Sequence, residues 1–159
     1  MPTSVTSQPI DTTTLGREFT RADIEFEGLD HSSASYEGRV FLNKPDADAR
    51  TPLNDPAYAG SYFIFGHGGC LGDVGHCDVM PRRPFDPRPA HALTPTRKVV
   101  IATNPLRRAL STGAELRITV VPRILSTSPR LGRPDDIVKF ERVLIITYLW
   151  GGRVGHGAA

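Results

Sequence analysis

Prolines and glycines break this chain so often that it has no room for a long helix. Fourteen prolines and fifteen glycines are spread over 159 residues. Proline removes a backbone donor and blocks the helical turn before it, and glycine weakens the interior of a helix or strand. Between the breaks stand short segments in which apolar and polar residues alternate at period two, the pattern of a strand with one buried face. Ala22, Ile24 and Phe26 alternate with Asp23, Glu25 and Glu27. Tyr36, Gly38, Val40 and Leu42 share one face of the segment Tyr36 to Asn43, and Leu116, Ile118 and Val120 share one face of Glu115 to Val121, which Pro122 closes. Ser61 to Phe65 is an aromatic strand, Lys98 to Thr103 is rich in β-branched residues, and Ile137 to Leu149 is the last and longest strand. The end of that last strand is apolar at nearly every position, with Thr147 the exception, as in a strand covered on both faces.

The remaining segments connect these strands. Lys44 to Pro56 holds three prolines among Asp and Asn residues and predicts a loop. Met80 to Pro95 has prolines at 81, 84, 87, 89 and 95 interleaved with Arg82, Arg83 and Arg88, and predicts an extended surface segment. Asn104-Pro-Leu-Arg-Arg-Ala-Leu predicts the one short helix, with Asn104 as its cap, Pro105 at its first position and Gly113 after its end. Six or seven strands in this length predict an all-β fold, a two-layer antiparallel β-sandwich of jelly-roll-like form with one short helix; a closed barrel is the competing arrangement. The domain is expected over residues 19–150, after a Ser/Thr/Pro-rich flexible arm at 1–18 and before a flexible tail at 151–159.

A formal charge of +2 with scattered arginines gives no basic stripe for nucleic acid. The longest apolar run, Val143 to Trp150, is far too short to span a bilayer as a helix. No signal peptide is visible in the polar start of the chain, so a cytoplasmic location, or export together with a partner, is expected.

The segment with chemistry in it is Gly66 to Asp78, where five glycines surround His67, Cys70, His76 and Cys77. Cys70 and Cys77 stand close enough in sequence for a turn to join them as a disulfide, worth roughly 2 kcal/mol. His67, Cys70, His76 and Cys77 together would offer two nitrogens and two sulfurs, a set suited to copper or zinc, although the adjacency of His76 and Cys77 strains a single tetrahedral site. A thiol activated by a neighbouring imidazole is a third use of the same groups. Leu71 and Asp73 in this loop, with Arg82, Arg83 and Arg88 after it, are candidate partner contacts. His31, in a polar turn, is expected to be solvated.

Tyr36-Glu-Gly-Arg-Val-Phe-Leu-Asn, Tyr58-Ala-Gly-Ser-Tyr leading to Gly66-His67, Leu116-Arg-Ile-Thr-Val-Val-Pro-Arg123 and Val138-Lys-Phe-Glu-Arg-Val together resemble the C-terminal β-sandwich of the type 3 copper proteins: tyrosinases, plant polyphenol oxidases and molluscan hemocyanins. The resemblance runs from about Ala22 to Tyr148. It implies a sandwich that covers a helical, dicopper-binding domain. This chain has five histidines, no pair at helical spacing and no long helix, so it is not expected to be an enzyme by itself. The role implied is an accessory or covering one, by protein–protein contact with a separately encoded tyrosinase-like chain. A metal-binding protein using the His/Cys loop, and a subunit that self-assembles into a homo-oligomer, are the alternatives.

Overall fold

The computed structural model describes residues 3–31, 33–66, 84–85, 87, 95–113, 115–125, 137–149 and 152–158. Its elements in chain order are β1 (Val5–Thr6), β2 (Ile10–Asp11), β3 (Arg21–Leu29), β4 (Tyr36–Leu42), β5 (Tyr58–Ile64), β6 (Thr96–Ile101), α1 (Thr103–Ser111), β7 (Glu115–Leu116), β8 (Ile118–Ile124), β9 (Arg142–Leu149) and β10 (Gly152–Ala158). Two four-stranded sheets, ordered β1-β8-β4-β5 and β10-β9-β3-β6, form the layers of an all-β sandwich, and β2 and β7 make a small two-stranded ladder. Every pairing is antiparallel.

The alternation sets which side chains meet. Ile24, Phe26, Val143 and Ile145 point inward from one sheet, Tyr36, Val40, Tyr62, Ile118 and Val120 from the other, and all are buried in one core. The ring of Phe26 lies 4.9 Å from that of Tyr62 and 5.4 Å from that of Phe140. Each such side chain contributes about 1.5–3 kcal/mol by leaving water. Gly38 makes this packing possible: a Cβ there would lie 2.5 Å from the Tyr62 ring, so the phenol crosses β4 only over bare backbone. Helix α1 closes one end of the core with Leu106 and Leu110, which stand one turn apart on the same stripe.

Several expectations change. Residues 3–18 are part of the fold: β1 pairs with β8, β2 pairs with β7, and Ile10, Thr12 and Leu15 are buried. Their few apolar residues are irregularly spaced, so no period announces them. The C-terminal segment likewise pairs along β9 as β10. Strand β8 continues through Pro122 to Ile124. Leu125 donates its N–H to Ser35, and the antiparallel alternation then turns position 122 away from β4, toward the side where the ladder with β1 has already ended at Val120. The last strand begins only at Arg142, although Ile137 and Val138 before it are buried.

The helix also starts earlier than expected. Ala102 holds the cap position without a side-chain bond, and Asn104 instead accepts from Arg107 Nη1 at 3.0 Å inside the first turns. His31 is buried, not solvated.

Candidate contact surface

His67, Cys70, Leu71, Asp73, His76, Cys77, Arg82, Arg83 and Arg88 all lie outside the described residues. What is described is the base from which their loop leaves. β5 runs into Gly66, whose N–H donates to Ser35 Oγ at 3.0 Å. A Cβ on Gly66 would fall 2.1 Å from the Ser33 carbonyl oxygen, so a glycine is required where the chain crosses the Ser33–Ala34 backbone. Gly66 is therefore fixed in place at one end of the β1-β8-β4-β5 sheet.

The register maps the outer face of that sheet as rows. Glu37 of β4 stands opposite Arg123 of β8 and Phe63 of β5, and Arg39 stands opposite Val121 and Ser61. Further down, Phe41 stands opposite Thr119 and Tyr58. Above the Glu37 row, the Leu125 N–H to Ser35 bond continues the β4–β8 ladder by one residue, which brings Leu125 to the same end as Phe65.

The two halves of this face are treated differently. Phe41 and Val121 on the lower half are covered by Ala47 and Ala57 of residues 44–57 and by the Tyr58 ring at the start of β5. That segment is a run of turns built on its acids. Asp48 Oδ1 accepts from the N–H groups of Arg50 at 2.8 Å and Thr51 at 3.0 Å, and Asp55 Oδ1 accepts from Ala57 N–H at 2.8 Å. The Arg50 and Thr51 bonds hold the Asp48 carboxyl below the usual carboxylate range.

The upper half keeps its apolar side chains in solvent: Phe63 is 57% exposed, Leu125 52% and Phe65 78%. Between them lies a polar network centred on Glu37, whose side chain is only 12% exposed. Its Oε1 accepts from Ser61 Oγ at 2.9 Å, and Ser61 is itself 2.6 Å from the Tyr58 hydroxyl. Its Oε2 accepts from Arg39 Nε at 3.1 Å and stands 4.0 Å from Arg123 Nη1. Two guanidiniums thus share one carboxylate, and the exposed one, Arg123, is the more distant.

The outer face of the other sheet carries a row of paired charges. Asp23, Glu25 and Glu27 point outward along β3 and are met by Arg21, Arg97 and Arg142. Hydrogen bonds to Asp23 and Glu25 push the Arg21 and Arg97 guanidiniums above their ordinary values. Among the described residues the acids of β3 are thus each paired, and the exposed Val99 and Ile101 of β6 stand opposite Glu25 and Asp23.

Reading strands for their core faces overlooked the upper half of the first sheet. The signal was in Ser61 to Phe65 itself: Tyr62 and Ile64 fill the core, so Phe63 and Phe65 must face the other way, and that strand is apolar on both sides.

Among the described residues, no three His, Cys, Asp or Glu side chains come together as metal ligands, and no helix is long and apolar enough to cross a membrane. No family model matches the chain, and no curated protein matches it.

Proposed function

We propose that this chain is a non-catalytic accessory or covering domain that works by protein–protein contact, related to the C-terminal sandwich of tyrosinase-like copper oxidases. The observation that carries the reading is the upper half of the outer sheet face, where Phe63 and Leu125 remain in water beside a charged row while the equivalent apolar residues below are covered by the chain's own turns. Exposed apolar side chains grouped beside polar ones are a mark of contact surfaces. Three of the four stretches that resemble the copper-protein sandwich fall on β4, β5 and β8, the strands that make this face.

The test is enzymatic and physical together. The purified chain, supplied with copper, is expected to leave catechol unoxidised. Mixed with a helical, copper-loaded tyrosinase-like chain, it is expected to form a complex by size-exclusion chromatography and to slow turnover of bulky phenols. Sustained catechol oxidation by the isolated chain would remove the proposal.

A further inference from the structure

The geometry points to a partner of definite chemistry for this surface: we infer that the upper half of the β4-β5-β8 face docks an acidic, apolar peptide segment, whose carboxylate pairs with Arg123 while its apolar side chain packs on Phe63 and Leu125. This inference rests on the contact reading above and specifies it. Glu37 accepts from Ser61 at 2.9 Å and from Arg39 Nε at 3.1 Å, whereas Arg123 stands 4.0 Å away, beyond hydrogen-bond distance. Arg123 is 62% exposed in its side chain, so the charge presented to solvent in this row is positive, and what the row lacks is a second carboxylate. The apolar part of the fit is shown lower on the same face, where Ala47, Ala57 and Tyr58 cover Phe41 and Val121. A segment that combined small or medium apolar residues with acids would continue that cover upward and complete the pairing of Arg123. A basic segment would meet Arg123 with like charge and be rejected.

The experiment titrates the full ¹⁵N-labelled chain with the peptide acetyl-Asp-Leu-Asp-Phe-Asp-amide, with the same peptide carrying Lys for Asp, and with one carrying Ser for Asp, following amide shifts at low and high salt. The expected result is shifts confined to the ends of β4, β5 and β8 near Glu37 with the acidic peptide, weakened by salt and absent with the lysine peptide. Arg123→Gln is expected to weaken the acidic peptide roughly three- to five-fold, in keeping with a partly exposed ion pair. Phe63→Ser is expected to abolish binding, and the same spectra report whether each variant is folded. If the serine peptide binds as well as the acidic one, or Arg123→Gln changes nothing, the acidic partner is wrong and the contact surface stands. If no peptide shifts these amides, this inference falls, while the covering role is still decided by the complex with the catalytic chain.

Discussion

Tyr36 and Tyr62 are the residues at which the core departs from its own logic. Their rings fill the space between the sheets 6.0 Å apart, yet both hydroxyls are buried with no hydrogen-bond partner of normal geometry. A buried polar group without a partner costs about 1–3 kcal/mol. Tyr62→Phe keeps the ring and removes the hydroxyl, so it is expected to raise stability by about 1 kcal/mol in urea denaturation. Gly38→Ala, which drives a methyl group into the Tyr62 ring, is expected to lower it by about 2–3 kcal/mol. The same burial pushes both phenols up, with the neighbouring tyrosine a further influence on each. The sign for pH follows from linkage: the native state keeps these protons where the unfolded chain, with phenols near 10, releases them. Stability is therefore fully present below about pH 10 and declines as the pH rises above it. Urea midpoints measured from pH 8 to 11 should show that decline, and the Tyr36→Phe, Tyr62→Phe double variant should flatten it.

At the level of elements, the strands with strict alternation were legible in the sequence and the short ones were not. β3, β4 and β8 carry apolar residues at every second position, and these are the residues that fill the core. β1 and β2 are two residues long, below any period, and they form because β8 and β7 offer them a ladder edge. The glycine loop stands out in the sequence because glycine, histidine and cysteine are conspicuous in any context, and its histidines and cysteines lie outside the described residues. The exposed half of the outer face was obscured because a phenylalanine in a strand is assigned to the core by default. Ile10 separates the two views of the N-terminal segment. It is fully buried against the core, so Ile10→Ala is expected to cost about 2–4 kcal/mol, whereas an unattached arm would tolerate it without change in the urea midpoint. Phe41→Ala tests the turns of residues 44–57 in the same way. It removes the ring on which Tyr58 rests, 5.5 Å away, and should both destabilise the fold by about 3 kcal/mol and speed cleavage after Arg50 by trypsin.

For the molecule as a whole, the two ends of the chain are joined through the fold. β1 extends one sheet, β10 extends the other, and Gly157 packs where a Cβ would approach Ile10 at 3.0 Å. Among the described strands, β4–β5 and β9–β10 are the pairings between sequence neighbours in the two large sheets, and the other four join strands distant in sequence. Such a fold is slow to form and gains its stability only when both layers are complete. β9 is the strand on which this depends. It is held between β3 and β10, with Ile145 buried on one face and Ile146 on the other. Ending the chain at residue 150 would strip the ladder from one side of β9 and leave an apolar strand as an open edge, the arrangement most prone to pair with other chains. That truncation is expected to lower the urea midpoint by an amount equivalent to several kcal/mol, given the loss of a whole strand from one layer, and to make light scattering rise with protein concentration. A tail that merely frayed would leave both measurements where they are in the full chain.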